Sequence, residues 1–100
     1  MRIEIQSIHF KADHKLVEYI ERKLNKLEQF SDSIVDSQVY LKLENNHTKE
    51  NKTVEIKVNV QNQSIFKTQT SNSFEAATDM ALEALKVQIK KYKERVVTVS

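Results

Sequence analysis

The residues best suited to chemistry in this chain are cations near its C-terminal end. Five of them fall within ten residues, against the single acid Glu94: Lys86, Lys90, Lys91, Lys93 and Arg95. One or two cations near a helix end offset the negative pole of the helix dipole, but five exceed that need. Lys and Arg gathered on one surface neutralise phosphates and release counterions, so this group favours a nucleic-acid backbone as its ligand.

A second group of cations occurs in the first predicted helix, where neighbouring glutamates dilute it. This group comprises Arg22, Lys23 and Lys26. If both helices pack on the same side of a sheet, the two groups form one basic surface that fits the phosphates of RNA. The alternative is a solvated helix face that keeps the protein soluble, because runs of charge commonly serve that purpose.

Metal binding and catalysis find little support in the sequence. The three histidines, His9, His14 and His47, lie on a strand, a helix start and a loop, without metal-ligand spacing. No serine has a recognisable partner base. Because Gly, Pro and Cys are all absent, phosphate loops, dinucleotide fingerprints, nucleophile elbows and thiolate sites are excluded. The sequence therefore predicts no catalytic residue, no metal and no cofactor.

Length and composition predict a single domain over residues 1–100 with one modest core. The chain has 100 residues, 39% of them hydrophobic, and a net charge of +2, so the distribution of charge says more than its sum. No apolar run is long enough for a signal peptide or a membrane span. The absence of Cys fits a reducing compartment. We expect a cytoplasmic protein.

The spacing of apolar residues predicts four strands and two helices. Strict alternation predicts strands in RIEIQSI, SQVYLKLE, TVEIKVNV and, more weakly, SIFKTQT. Apolar residues every three or four positions predict helices in DHKLVEYIERKLNKLEQF and SNSFEAATDMALEALKVQIKKYKER. The remaining segments, NNHTKENK and VVTVS, are expected to be a polar loop and a short tail, which either frays or binds protein as a strand end.

The order of these elements predicts an α+β fold, β-α-β-β-β-α. A right-handed crossover makes the first two strands parallel, and the later strands form an antiparallel meander. Each strand has one apolar face, so the sheet is expected to be four-stranded and mixed, with both helices packed on one face. In the fourth strand Ile65 and Phe66 compete for the inner face, and Lys67 marks an edge. Asp13 is a candidate cap for the first helix, although Lys11 or Ala12 could equally mark its boundary, and Asn72 or Ser73 is expected to cap the second helix.

Short motifs run through both helices in the order found in a known family. The second helix has an Ala-Ala pair with Asp79 two residues later, then Leu85, Gln88 and a KKYKER ending. The first helix has a Lys-x-x-Lys-Leu-Glu pattern that begins at Lys23, and the N-terminal MRIEIQSIHF also fits. Taken together, over essentially the whole chain, these motifs resemble the hibernation-promoting factor family of ribosome-associated proteins. The family is also called ribosome-associated inhibitor A or sigma-54 modulation protein.

This resemblance implies a function as well as a fold. Such proteins bind the small ribosomal subunit in the channel for messenger and transfer RNA, near the decoding centre. Basic residues on both helices contact ribosomal RNA. The bound protein stops translation and protects idle ribosomes in stationary phase or stress. Some members promote the pairing of ribosomes, and others block it. Ending at residue 100, the chain resembles the short form. The positions that match basic family positions are Lys23, Lys26, Lys91, Lys93 and Arg95.

The chain departs from the family pattern at three places. Ala84 and Val87 stand where members often carry cations, which shifts the RNA-facing surface around the helix toward Lys86 and Lys90. The usual Asp-Met-Tyr before the Ala pair is SFE here, and the usual Gly pair of a hairpin is NQ, at residues 62–63. The loss of glycine bears on turn geometry more than on function.

A different class of function stays open from the residues alone. A protein-interaction module would use the polar face of the sheet, or the VVTVS end, to bind a partner by strand pairing. Such a module would have little affinity for structured RNA at low salt, whereas a ribosome-binding protein would bind it.

Overall fold

A computed structural model describes residues 1–44 and 51–91 in full and residues 92–99 as backbone. Over these residues the element order is β-α-β-β-β-α, as the sequence predicts. The elements are β1 (Arg2–Ile8), α1 (His14–Glu28), β2 (Ile34–Leu43), β3 (Lys52–Val60), β4 (Gln63–Ser71) and α2 (Phe74–Val99). The predicted loop NNHTKENK, which contains His47, lies mostly outside the described residues.

The four strands form one mixed sheet in the order β1-β2-β3-β4. β1 pairs with β2 in parallel, whereas β2, β3 and β4 pair antiparallel. The parallel first pair and the antiparallel meander are confirmed. β4 is an edge strand, also as predicted, and Lys67 lies half-buried on its inner side. A charge in that position discourages pairing with another chain.

One hydrophobic core lies between the sheet and the two helices. The strands alternate between inward apolar and outward polar side chains, and the helices face them with apolar stripes. The fully or almost fully buried apolar residues are Leu16, Ile20, Leu24, Leu27, Ile34, Val39, Leu41, Val54, Ile56, Val58, Val60, Ile65, Ala77, Ala81, Leu82, Leu85 and Ile89. Because residues of both helices join one cluster with the inner faces of the strands, both helices pack on one face of the sheet.

A β-bulge explains why β2 begins three residues earlier than its alternation predicts. The pairing register with β3 shifts between Ile34 and Asp36, so Val35 is an extra residue and is 57% exposed. The bulge lets Ile34 and Ser37 both point inward although they are three positions apart.

The turn between β3 and β4 determines which side chains of β4 face the core. Val60 pairs with Gln63, which leaves a two-residue turn, and Asn62 has a φ of 73°. Asn tolerates this left-handed conformation better than most residues, so glycine is not needed here. In the resulting register Ile65 is buried and Phe66 is on the outer face. The Lys57 ammonium lies 5.5 Å from the centre of the Phe66 ring.

Both helices begin at side-chain caps. Asp13 accepts a hydrogen bond from the backbone N–H of Leu16 at 2.8 Å, which confirms the predicted cap of α1. Ser73, rather than Asn72, caps α2, because its hydroxyl accepts from the backbone N–H of Ala76 at 3.0 Å. Phe74 then stacks on Phe10, with ring centres 5.3 Å apart, and joins the start of α2 to the loop before α1.

The C-terminal end of α2 corrects the sequence prediction. The segment VVTVS was expected to be a tail or a strand end, but the helix runs on through Val99. The β-branched residues there favour strands, yet no Gly or Pro stops a helix that is already nucleated. A strand-pairing role for residues 96–99 is therefore wrong. Among the described residues, no helix is both long and apolar enough to cross a membrane.

Candidate nucleic-acid interface

The two helices run in the same direction across the sheet. β1 and β4 point the same way, since both are parallel to β2 in the register of the sheet. Each helix follows one of these strands and returns over the same face, so α1 and α2 are parallel. α1 has 15 residues and α2 has 26. At 1.5 Å per residue, α2 is roughly 16 Å longer than α1.

Charge is segregated along α2. Its first ten residues carry the acids Glu75, Asp79 and Glu83, whereas the part from Lys86 onward carries five cations and the single acid Glu94. Lys86 lies at the boundary and pairs with Glu83 at 3.5 Å. Lys90 and Lys91 are exposed, and neither pairs with another side chain that the structure describes. The second half of α2 is thus left with uncompensated positive charge over its described part.

A cluster around Tyr19 joins the cations of α1 to α2. The Tyr19 hydroxyl donates to the Asp79 carboxylate, at 2.8 Å from Oδ1 and 2.9 Å from Oδ2. The Lys23 ammonium lies 3.9 Å from Asp79 Oδ1 and 5.4 Å from the centre of the Tyr19 ring. The Arg22 guanidinium lies 5.5 Å from the same ring centre. The cluster brings Arg22 and Lys23 to the seam between the helices.

Of the predicted basic residues, Arg22 and Lys23 lie at the contact between the two helices, and the others lie further toward the C-terminal end of their own helix. One turn beyond Lys23, the exposed side chain of Lys26 lies in the last turn of α1. Because the helices are parallel, Lys26 comes level with the Glu83–Lys86 turn of α2. Lys90 and Lys91 follow further along α2. The side chains of Lys93 and Arg95 lie outside the described residues, although their backbone continues the helix.

The sequence missed Tyr19 and Asp79 as parts of this arrangement. Tyr19 is not among the residues predicted to contact RNA, and Asp79 was identified only as part of a family motif. They lie 60 positions apart, so no local spacing could pair them. The usable signal was the position of Tyr19 one turn before Lys23, which is the spacing of neighbours on a helix surface.

Tyr19 titrates above its ordinary range. Partial burial, the hydrogen bond to Asp79 and the negative charges of Asp79 and Glu75 raise the pKa of Tyr19 above its ordinary value of 10.0, while Arg22 opposes them. The folded protein therefore holds this proton more tightly than the unfolded chain does. The resulting contribution to stability is complete below pH 10 and is lost as pH rises through the pKa of the folded state.

We expect this linkage to be visible in denaturant unfolding at alkaline pH. Between about pH 9 and 11, the free energy of unfolding of the parent should fall more than that of Tyr19→Phe, which has no phenol proton at this site. Urea unfolding at several pH values measures the difference. Parallel curves for the two proteins would show that Tyr19 has no raised pKa.

The histidines lie apart from this surface. His14 Nε2 contacts Glu18 Oε1 at 2.7 Å on the exposed side of α1, and His9 is exposed in the loop after β1. Within residues 1–44 and 51–91, no group of three or more His, Cys, Asp or Glu side chains could hold a metal ion.

The outer face of the sheet is polar and largely satisfied by its own contacts. Asn59 donates to Asp36 and accepts from the Ser64 hydroxyl at 2.6 Å. Arg2 pairs with Glu4 at 3.1 Å. Phe66 is a large apolar side chain on this face and is 53% exposed beside Lys57.

Known proteins share both the sequence pattern and the fold of this chain. The sequence model of the family described as "Sigma 54 modulation protein / S30EA ribosomal protein" matches residues 3–97. A ribosomal subunit interface protein from Coxiella burnetii is 22% identical and has a TM-score of 0.83, over 94% of this chain and 99% of that chain. The Protein Y N-terminal domain from Thermus thermophilus is 22% identical and has a TM-score of 0.78, over 92% and 99%. Both structures share the fold. No curated protein sequence matches the chain.

Proposed function

The chain belongs to the sigma 54 modulation protein / S30EA ribosomal protein family, whose model covers residues 3–97, and on this premise we propose that it is a ribosome hibernation factor. It binds the small ribosomal subunit near the decoding centre, occludes the path of messenger and transfer RNA, and represses translation in stationary phase or stress. Residues 1–100 act as one ribosome-binding unit in the cytoplasm. The name of the Coxiella burnetii relative, a ribosomal subunit interface protein, supports this site of action.

The observation that carries the proposal is the segregation of charge along α2. Beyond Glu83 the helix has one acid, Glu94, against five cations, and of the described cations there only Lys86 has an acidic partner among the described side chains. Uncompensated Lys and Arg on an exposed helix bind RNA phosphates through counterion release. The proposed RNA-contacting residues are Arg22, Lys23, Lys26, Lys86, Lys90, Lys91, Lys93 and Arg95.

The shape of the protein supports occlusion as the activity. The extents of the molecule are 49 × 24 × 18 Å, so the packed sheet and helices form a body much thicker than one RNA strand. Once such a body is held in an RNA channel by its cations, messenger and transfer RNA cannot share the space. No bond needs to be made or broken, and no small-molecule substrate or cofactor takes part.

Sedimentation with purified ribosomal subunits tests the proposal. The protein should co-sediment with small subunits and much less with large subunits, and binding should weaken steeply as salt rises. In cell-free translation, inhibition should be stoichiometric with ribosomes and should be relieved by messenger RNA added in excess before the protein. Equal binding to both subunits, or binding without inhibition, would contradict the proposed site of action.

A second candidate function rests on Phe66. This side chain is exposed on the outer face of an edge strand, beside Lys57, where a partner protein could dock. A protein-interaction module of this kind predicts that changes on the outer sheet face abolish function and that changes on α2 do not. The paired variants described below separate the two candidates.

A further inference from the structure

We propose that Tyr19 is a positioning residue that holds Arg22 and Lys23 together for binding to the RNA backbone. The inference rests on the proposed function. It adds to the RNA-contacting residues one that is uncharged at the pH at which RNA is bound. It follows from the contacts of the Tyr19 ring on one side and of its hydroxyl on the other.

The ring of Tyr19 gathers two cations that would otherwise repel each other. The guanidinium of Arg22 and the ammonium of Lys23 both lie within 5.5 Å of the ring centre. Aromatic faces carry negative potential and attract such groups. Lys and Arg side chains left alone in water sample many rotamers, so the ring reduces the freedom of both before any ligand arrives.

The ring is itself held in place from the other helix. Its hydroxyl donates to both oxygens of Asp79 at 2.8 and 2.9 Å. A tyrosine fixed at its backbone by α1 and at its hydroxyl by α2 has little freedom left in its two side-chain torsions. Asp79 thereby sets the position of the ring, and the ring sets the position of the cations.

The same geometry leaves Lys23 available to a ligand. Its contact with Asp79 is loose at 3.9 Å, and the Asp79 carboxylate also accepts the hydrogen bond of the Tyr19 hydroxyl. A phosphate that approaches the seam can therefore take Lys23 without leaving Asp79 unpaired. Side chains that are ordered before binding lose less conformational entropy when the ligand binds, so Tyr19 raises the affinity of Arg22 and Lys23 for phosphate.

Small-subunit binding by Tyr19→Leu tests this role. The variant keeps every charge, yet we expect its dissociation constant to rise about tenfold and its log–log salt slope to become shallower by about one unit, because two phosphate contacts are weakened. Tyr19→Phe keeps the ring but loses the hydrogen bond to Asp79, so its affinity should lie between those of the parent and of Tyr19→Leu. Tyr40→Leu, on the outer face of the sheet, is the matched control and should leave both quantities unchanged.

A double-mutant cycle decides whether Tyr19 acts through the two cations. Tyr19→Leu added to Arg22→Gln/Lys23→Gln should weaken binding little further, because the groups it positions are already gone. A fully additive loss would overturn the proposal, and so would parent-like affinity and salt slope in Tyr19→Leu. If Tyr19→Leu fails to fold, Tyr19→Phe, which releases the ring from Asp79 and keeps every charge, replaces it in the same cycle. A loss that is fully additive with Arg22→Gln/Lys23→Gln, or parent-like affinity and salt slope, would overturn the proposal.

The cycle also separates this inference from the proposed function. If Lys86→Gln/Lys90→Gln/Lys91→Gln/Lys93→Gln loses binding while Tyr19→Leu keeps it, the ribosome-binding function is supported and the positioning role is wrong. If the parent itself does not bind small subunits, the proposed function is wrong, and the positioning role is overturned with it.

Discussion

Replacing Lys86, Lys90, Lys91 and Lys93 with glutamine is expected to weaken binding to small ribosomal subunits by about a hundredfold or more at moderate salt. Each phosphate contact contributes roughly 0.7 to 0.9 units to the log–log slope of affinity against salt, so four lost contacts flatten the slope by about 3 units. Filter binding or sedimentation over a series of salt concentrations measures both quantities. The fold should persist, because the described members of this set are exposed or only half-buried.

The matched control for this variant removes four cations from the sheet. Arg2, Lys42, Lys52 and Lys57 lie on β1, β2 or β3, and their replacement by glutamine changes the net charge by the same amount. If the position of the charge matters, this control binds like the parent. Equal losses in the two variants would show that only bulk charge matters. A loss confined to the sheet variant would favour the protein-interaction module.

Replacing Leu85 with alanine is expected to lower the free energy of unfolding by about 2 to 5 kcal/mol. Leu85 is fully buried in the core between α2 and the sheet, and truncation leaves a cavity that the surrounding side chains fill only in part. For a domain whose total stability is about 5 to 15 kcal/mol, this is a large fraction. Urea or thermal unfolding measures the loss, and the midpoint temperature should fall by roughly 10 °C or more.

Val87→Ala is the control for this substitution on the same helix. Val87 is 54% exposed, so its truncation opens no cavity, and the change in stability should stay within about 0.5 kcal/mol. Alanine also has the better helix propensity, which offsets the small loss of apolar contact. Similar destabilisation by both substitutions would mean that Leu85 does not pack in the core as described.

Local patterns were enough to predict most of the fold. The alternation in β1 and β3 and the stripe in α1 each place one apolar face, and a single inner face per strand requires both helices on one side. Asp13 could be predicted as a cap because an acidic side chain stands before the apolar stripe of a helix. These features depend on residues within a few positions of one another, which is the range over which sequence periodicity is informative.

The features that escaped prediction depend on distant or competing effects. The bulge at Val35 interrupts the alternation of β2, so its first residues could not be assigned from their period. At residues 96–99 strand propensity opposed the continuation of an existing helix, and continuation prevailed. The link between Tyr19 and Asp79 joins two helices across 60 positions. Only the packed structure shows that contact, although the cations around it could be predicted as a group.

The arrangement of α2 bears on how such a protein can change over generations. Its buried residues, from Ala77 to Ile89, share the helix with lysines whose replacement removes no part of the hydrophobic core. Mutations at those lysines can therefore change the affinity for a ligand while the fold is kept. Mutations at the apolar positions act mainly on the stability of the fold. Selection can retune one property of this helix with little penalty to the other.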